Sequence, residues 1–100
     1  MLNADYSSLD SNVLVLNKHY AAVRVVSARR ALTLLFKGIA DVVALEDEQY
    51  ASYDFDSWRA LSEYRSKFQR DHHEWVQCIK FELAIPRIVR LLFYDRLPRQ

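Results

Sequence analysis

Four side chains able to bind a metal stand in a row at Asp71, His72, His73 and Glu74. Zinc needs four ligands that converge tetrahedrally. Adjacent residues diverge instead, to opposite faces of a strand or by about 100° around a helix. No His-x-x-x-His pair occurs, and Cys78 is the single cysteine, so no cysteine pair completes a site. The run reads as a solvated loop with pH-sensitive charge. His19 reads as a polar turn residue. Cys78 with His73 or His19 would make a nucleophile–base pair, but a lone cysteine in an apolar strand packs more often as a small hydrophobe. Serines and carboxylates are scattered without nucleophile-elbow framing. With one glycine in the chain, a glycine-rich phosphate loop is excluded.

The cations offer a different chemistry, contact with a phosphate backbone. Arg29, Arg30 and Lys37 fall together on one predicted helix. Arg87, Arg90, Arg96 and Arg99 form a second group, opposed locally by Asp95 alone. The net charge of +1 gives no global field toward nucleic acid or membrane. The distribution is uneven. Residues 1–56 carry eight acidic and five basic side chains, and residues 57–100 carry five acidic and nine basic. A basic C-terminal surface is the implied feature, and ordinary solvated helix faces explain the same residues. Trp58, Tyr64 and Phe68 make an aromatic stripe. It reads as core packing, because base stacking needs exposed rings.

These residues need elements to hold them. One hundred residues make one domain, and 51% hydrophobic content suffices for a core without staples. Residues 1–12 read as a flexible leader and 13–100 as a single domain. "VLVL" (13–16) reads as a strand covered on both faces, "NKHY" as a turn and "AAVRVV" (21–26) as a second strand. Ser27 caps a helix that ends before Gly38. Ala28, Ala31, Leu32 and Leu35 share a face, with Leu34 and Phe36 widening it, so this is the expected central helix. "IADVVAL" (39–45) reads as a strand. "EDEQYASYDFD" (46–56) has no clear period. Asp56 or Ser57 caps a helix whose inner face carries Trp58, Leu61, Tyr64, Arg65 and Phe68. "WVQCIKFEL" (75–83) alternates like one strand. Pro86 fits the first turn of a third helix through Ile88, Leu91 and Leu92. The fold class is therefore α+β, a small, mainly antiparallel sheet packed on a central helix with two further helices.

The stretch "VLVLNKHYAAVRVVSARRALTLLFKGIADVV" (13–43) resembles the N-terminal region of a bacterial HNH endonuclease family, in which a leucine-rich helix follows "VVS-x-RRA". "IPRIVRLLFYDRLPR" (85–99) resembles a second block of that family, which leads into a basic segment. Matching framework positions are Asn17, Ser27, Arg29, Arg30, Gly38, Pro86 and Arg90. Residues 46–75 look like a subfamily insertion. The resemblance implies two Cys-x-x-C zinc pairs and a His–Asn–His site holding a divalent metal, in a module that would begin near Gln100. None of those residues occurs in this sequence, so no catalytic residue carries over. Cofactors, zinc and divalent metal alike, belong to that module.

The expectation is thus a non-catalytic accessory domain that positions a nuclease module or contacts DNA backbone through Arg29, Arg30, Lys37, Arg87, Arg90, Arg96 and Arg99. The alternative is a protein-interaction or self-association module. The lone cysteine, the lack of a signal-like leader and the short apolar runs place it in the cytoplasm, away from membranes.

Overall fold

The computed structural model describes residues 9–78 and 80–97. In chain order they form β1 (Asn12–Leu16), β2 (Ala22–Ser27), α1 (Ala28–Phe36), β3 (Ala40–Glu46), β4 (Gln49–Tyr53), α2 (Phe55–Phe68), a 3-10 turn (Arg70–His72), β5 (Trp75–Gln77), β6 (Glu82–Ala84) and β7 (Ile88–Leu91). Five strands make a mixed sheet in the order β2-β1-β7-β3-β4, and β5 and β6 make a separate antiparallel pair. β7 runs parallel to β1 and antiparallel to β3. The architecture is α+β.

Local chemistry explains the first half. Asn17 closes the β1–β2 hairpin, its side-chain oxygen accepting the N–H groups of His19 at 2.8 Å and Ala21 at 3.0 Å. The Ser27 hydroxyl accepts the Arg30 N–H at 3.2 Å, as an N-cap does. At the other end Gly38 has φ +75°. The Ile39 N–H donates to Leu34 O and the Gly38 N–H to Leu35 O, which is the Schellman arrangement. Ala28, Ala31, Leu34 and Leu35 of α1 join one core cluster with Val13, Val15, Val42, Trp58, Val89 and Leu91.

The second half departs from the sequence reading at the α2 cap, where Asp54 rather than Asp56 or Ser57 accepts the Ser57 N–H at 2.8 Å, and in four further places. Residues 46–56 contain β4, paired with β3 through a two-residue turn at Asp47-Glu48. Both turn residues have positive φ, 51° and 67°, the conformation that usually recruits Asn-Gly. With no glycine there, the hairpin had no signature. The Trp75–Leu83 segment is not one strand. It folds back on itself, and Val76 pairs with Leu83. Tyr64 and Phe68 do not face inward: they are 56% and 69% exposed, stacked on each other at 4.9 Å. The residues that α2 buries are Trp58 and Ser62.

The third helix is a strand. Ile88–Leu91 alternates, with Val89 and Leu91 fully buried. A short apolar run satisfies helical spacing and alternation equally well, and the vacancy between β1 and β3 decides in favour of strand. Among the described residues one helix follows α1, where two were expected. Residues 9–12, read as leader, make contacts: Leu9 packs on the core cluster and Ser11 O accepts the Ala28 N–H at 2.7 Å.

Ser62 has a defined task. It is 1% exposed, and its hydroxyl accepts the Ala84 N–H at 3.0 Å while Trp58 Nε1–H donates to Ala84 O at 2.8 Å. α2 thereby holds β6 from both sides of one peptide unit. Ser62→Ala leaves a buried N–H without a partner and is expected to cost about 1–3 kcal/mol in urea unfolding; an unchanged midpoint would contradict this. Glu48→Gly is expected to do the reverse. It relieves left-handed strain of about 1–2 kcal/mol per non-glycine residue against an entropic loss of about 0.5–1 kcal/mol, so the midpoint should rise.

Candidate functional site

The alternation of strand side chains divides the sheet into two faces. Val13, Val15, Val42, Val89 and Leu91 point into the core cluster that contains α1. Leu14, Leu16, Val25, Val43, Leu45, Tyr50, Ile88 and Arg90 point to the opposite face. There Val25, Leu45 and Tyr50 are exposed, and Leu14, Leu16 and Ile88 are half-buried.

The sequence-predicted cations are distributed over these two sides. Arg29 on α1 and Lys37 at its C-cap are exposed, and Arg30 is half-buried. Arg90 lies on the other face of the sheet, beside β3 Asp41. Its guanidinium donates twice to Lys18 O, at 2.7 and 3.2 Å, and stacks over Tyr20 at 4.3 Å. Arg90 therefore locks the Asn17–Tyr20 turn, in which Tyr20 has φ +69°. Burial raises the pKa of neighbouring Asp41, with Asp54 adding to the rise and Arg90 opposing it. Arg87 is exposed at the start of β7, and Arg96 is exposed after it. Arg99 lies outside the described residues.

A polar network missed in the sequence reading sits beneath a gap in the sheet. β3 pairs with β7 only as far as Val42↔Val89. Beyond that point residues 85–87 swing away, and the Ile85 N–H donates to Glu74 O at 2.8 Å. The cleft so formed has a volume of about 330 Å³ and is lined by Val43, Leu45, Tyr50, Trp58, Arg65, His73, Ile85, Pro86, Arg87 and Ile88, among others. Under it Arg65 donates to Glu46 Oε2 and Tyr53 Oη–H donates to Glu46 Oε1, each at 2.5 Å. The other arm of the Arg65 fork meets His73 Nε2 at 3.0 Å. With Arg65 as donor, Nε2 must accept, which puts the imidazole proton on Nδ1. The ring packs edge-on against both Trp58 and Trp75.

Burial lowers the His73 pKa, and the positive charges of Arg65, His72 and Arg87 lower it further. Tyr53 shifts upward, first through burial and then through its bond to Glu46. The Asp71–Glu74 run is thus more than a solvated loop. His73 is built into the scaffold, while Asp71, His72 and Glu74 are exposed. Among the described residues no group of three metal-ligating side chains converges, and no helix is long and apolar enough to cross a membrane. One signal was available: Arg65 shares the helical stripe of Trp58 and Leu61, and an arginine on an inward face requires a buried acceptor.

A mixed five-stranded sheet with two α-helices and a network of paired charges defines an α+β domain. The chain belongs to the family described as HNH endonuclease-associated, N-terminal domain, which it matches over residues 13–99. Neither a curated protein nor a solved structure matches it.

His73 makes the fold sensitive to acid. The unfolded chain takes up this proton near pH 6.5, and the folded chain does so only at lower pH. The stability contributed by neutral His73 is therefore complete above about pH 6.5 and is lost as pH falls through and below it. Urea unfolding should show a lower midpoint at pH 5.5 than at pH 7.5, and His73→Gln, which keeps an acceptor for Arg65, should narrow that difference. An equal difference in the variant would assign the acid sensitivity to other groups.

Proposed function

We propose that this domain performs no phosphodiester chemistry itself and serves an HNH nuclease module, by positioning it or by contacting DNA backbone. The observation that carries the reading is the family match across residues 13–99. The zinc and divalent metal of such a reaction belong, on this reading, to the nuclease module, and the setting is cytoplasmic. Positioning is favoured over backbone contact. The candidate cations stand on two sides of the sheet, and the Arg90 fork already binds Lys18 O. A phosphate track needs its cations on one surface.

A second reading, an interaction or self-association module, has its own support. The sheet face opposite α1 exposes Leu45 and Tyr50, 63% and 71% accessible, as a cross-strand pair. Exposed apolar side chains on adjacent strands supply the kind of surface an interaction site uses when it is large enough.

Two measurements separate the readings. The first compares DNA cleavage by an HNH protein carrying this domain with cleavage by the same protein lacking it. The second titrates the domain with a roughly 20-bp duplex at about 20 and 200 mM salt. Positioning predicts reduced cleavage on deletion, with weak domain–DNA affinity and a shallow salt dependence. A slope equal to several released counterions would establish backbone contact instead. Undiminished cleavage after deletion, together with a dimeric mass in light scattering, would favour self-association.

A further inference from the structure

The gap between β3 and the start of β7 has the attributes of a site for an added strand. The β3–β4 hairpin closes with the pair Glu46↔Gln49 across a two-residue turn. In such a hairpin the closing pair exchanges both backbone hydrogen bonds, and these pairs then alternate along the ladder. Glu46, Ala44 and Val42 therefore direct their backbone groups to β4. Leu45 directs its N–H and C=O the other way, toward the position that β7 would occupy. The same parity holds further down, where the Leu92 N–H donates to Ile39 O at 2.9 Å. Since the β3–β7 register ends at Val42↔Val89, Leu45 has no strand opposite it on that side.

Direction fixes what fits. A strand pairing antiparallel with β3 at Leu45 runs the same way as β7, because β7 is itself antiparallel to β3. Its C-terminal end would then meet the first residue of β7, Ile88, and the Arg87 side chain that lines the cleft there. A chain passing through would collide with β7, whereas a chain that ends there does not. Arg87 is exposed and borders both this cleft and the adjoining pocket at His72 and Glu74. No carboxylate is among the described residues that line the cleft itself. Glu46 beneath it is held by Arg65 and Tyr53, and Asp71 and Glu74 lie in the adjoining pocket, so the charge an incoming anion meets inside the cleft is that of Arg87. The remaining lining, with Trp58, Ile85, Pro86 and Val43, suits an apolar side chain.

We propose that the gap binds the C-terminal end of an extended apolar peptide, its backbone paired with Leu45, its last side chain seated above Trp58 and its terminal carboxylate beside Arg87. Strand addition with carboxylate capture is a recurrent mode of peptide recognition. The proposal rests on the gap alone and is independent of whether the domain serves a nuclease.

The probes are acetyl-Thr-Val-Ile-Leu with a free C-terminal carboxylate and the same peptide as its C-terminal amide. In wild type the acid should bind at least about tenfold more tightly than the amide. In Arg87→Gln, a change at an exposed site, the acid should fall to the affinity of the amide. Hydrogen exchange at the Leu45 amide should slow when the acid binds, while exchange at Ala44, already paired with β4, should change little. Equal binding of acid and amide to wild type would overturn carboxylate capture. Binding without protection of Leu45 would overturn strand addition, and no binding of the acid at millimolar peptide would overturn the site.

Discussion

The burial of β7 between β1 and β3 governs most of this structure. Val89 and Leu91 have no exposure, and four residues of strand join the β1–β2 hairpin to the β3–β4 hairpin. The β1–β7 ladder links residues 14–16 with residues 88–90, so it closes a loop of most of the domain. Loop closure of that size costs entropy before any contact rewards it. The sheet is complete only when β7 joins residues that lie far apart along the chain. Contacts this distant in sequence characterise slow-folding topologies.

The segment leading into β7 answers to two sets of bonds. Upstream, Ala84 is clamped to α2 by Trp58 and Ser62. Downstream, Val89 must lie beside Val15 and Val42. Pro86 bridges the two directions with a fixed φ and no N–H to leave unpaired. The gap beside β3 follows from this divergence. The charges beneath it follow in turn: Arg65 sits where the sheet does not close, and Glu46, Tyr53 and His73 complete its hydrogen bonds. The network is only partly buried, so removing one member leaves its partner with water and a remaining neighbour rather than isolated in the core.

How much of this was legible depended on whether the signal was local. Ser27 and Gly38 bracket α1 because capping is written in the capping residues themselves. The α+β class and the family were legible for the same reason, in contiguous stretches. β7 was not, because Ile88–Leu91 carries no mark that distinguishes a strand from a helical turn until β1 and β3 are placed on either side. The β3–β4 hairpin was hidden because Asp47 and Glu48 adopt positive φ without glycine. His73 was hidden because its partner, Arg65, approaches from another element.

The distribution of reactive side chains bears on what kind of work the domain does. Arg90 holds a turn, Arg65 and His73 are bonded to each other beneath the gap, and Arg70 makes a two-bond pair with Glu82 at 2.8 and 2.7 Å that fixes the 3-10 turn to β6. That ion pair holds the Glu82 carboxyl below its usual pKa through the Arg70 hydrogen bonds. The ion pairs Arg65–Glu46 and Arg70–Glu82 contribute little field at a distance, since each cancels within the screening length of about 8–10 Å. Besides exposed cations such as Arg29, Lys37, Arg87 and Arg96, the fold presents shape: a sheet face with exposed Leu45 and Tyr50 and an unfilled position between two strands. Recognition by shape and backbone does not need a net charge above +1.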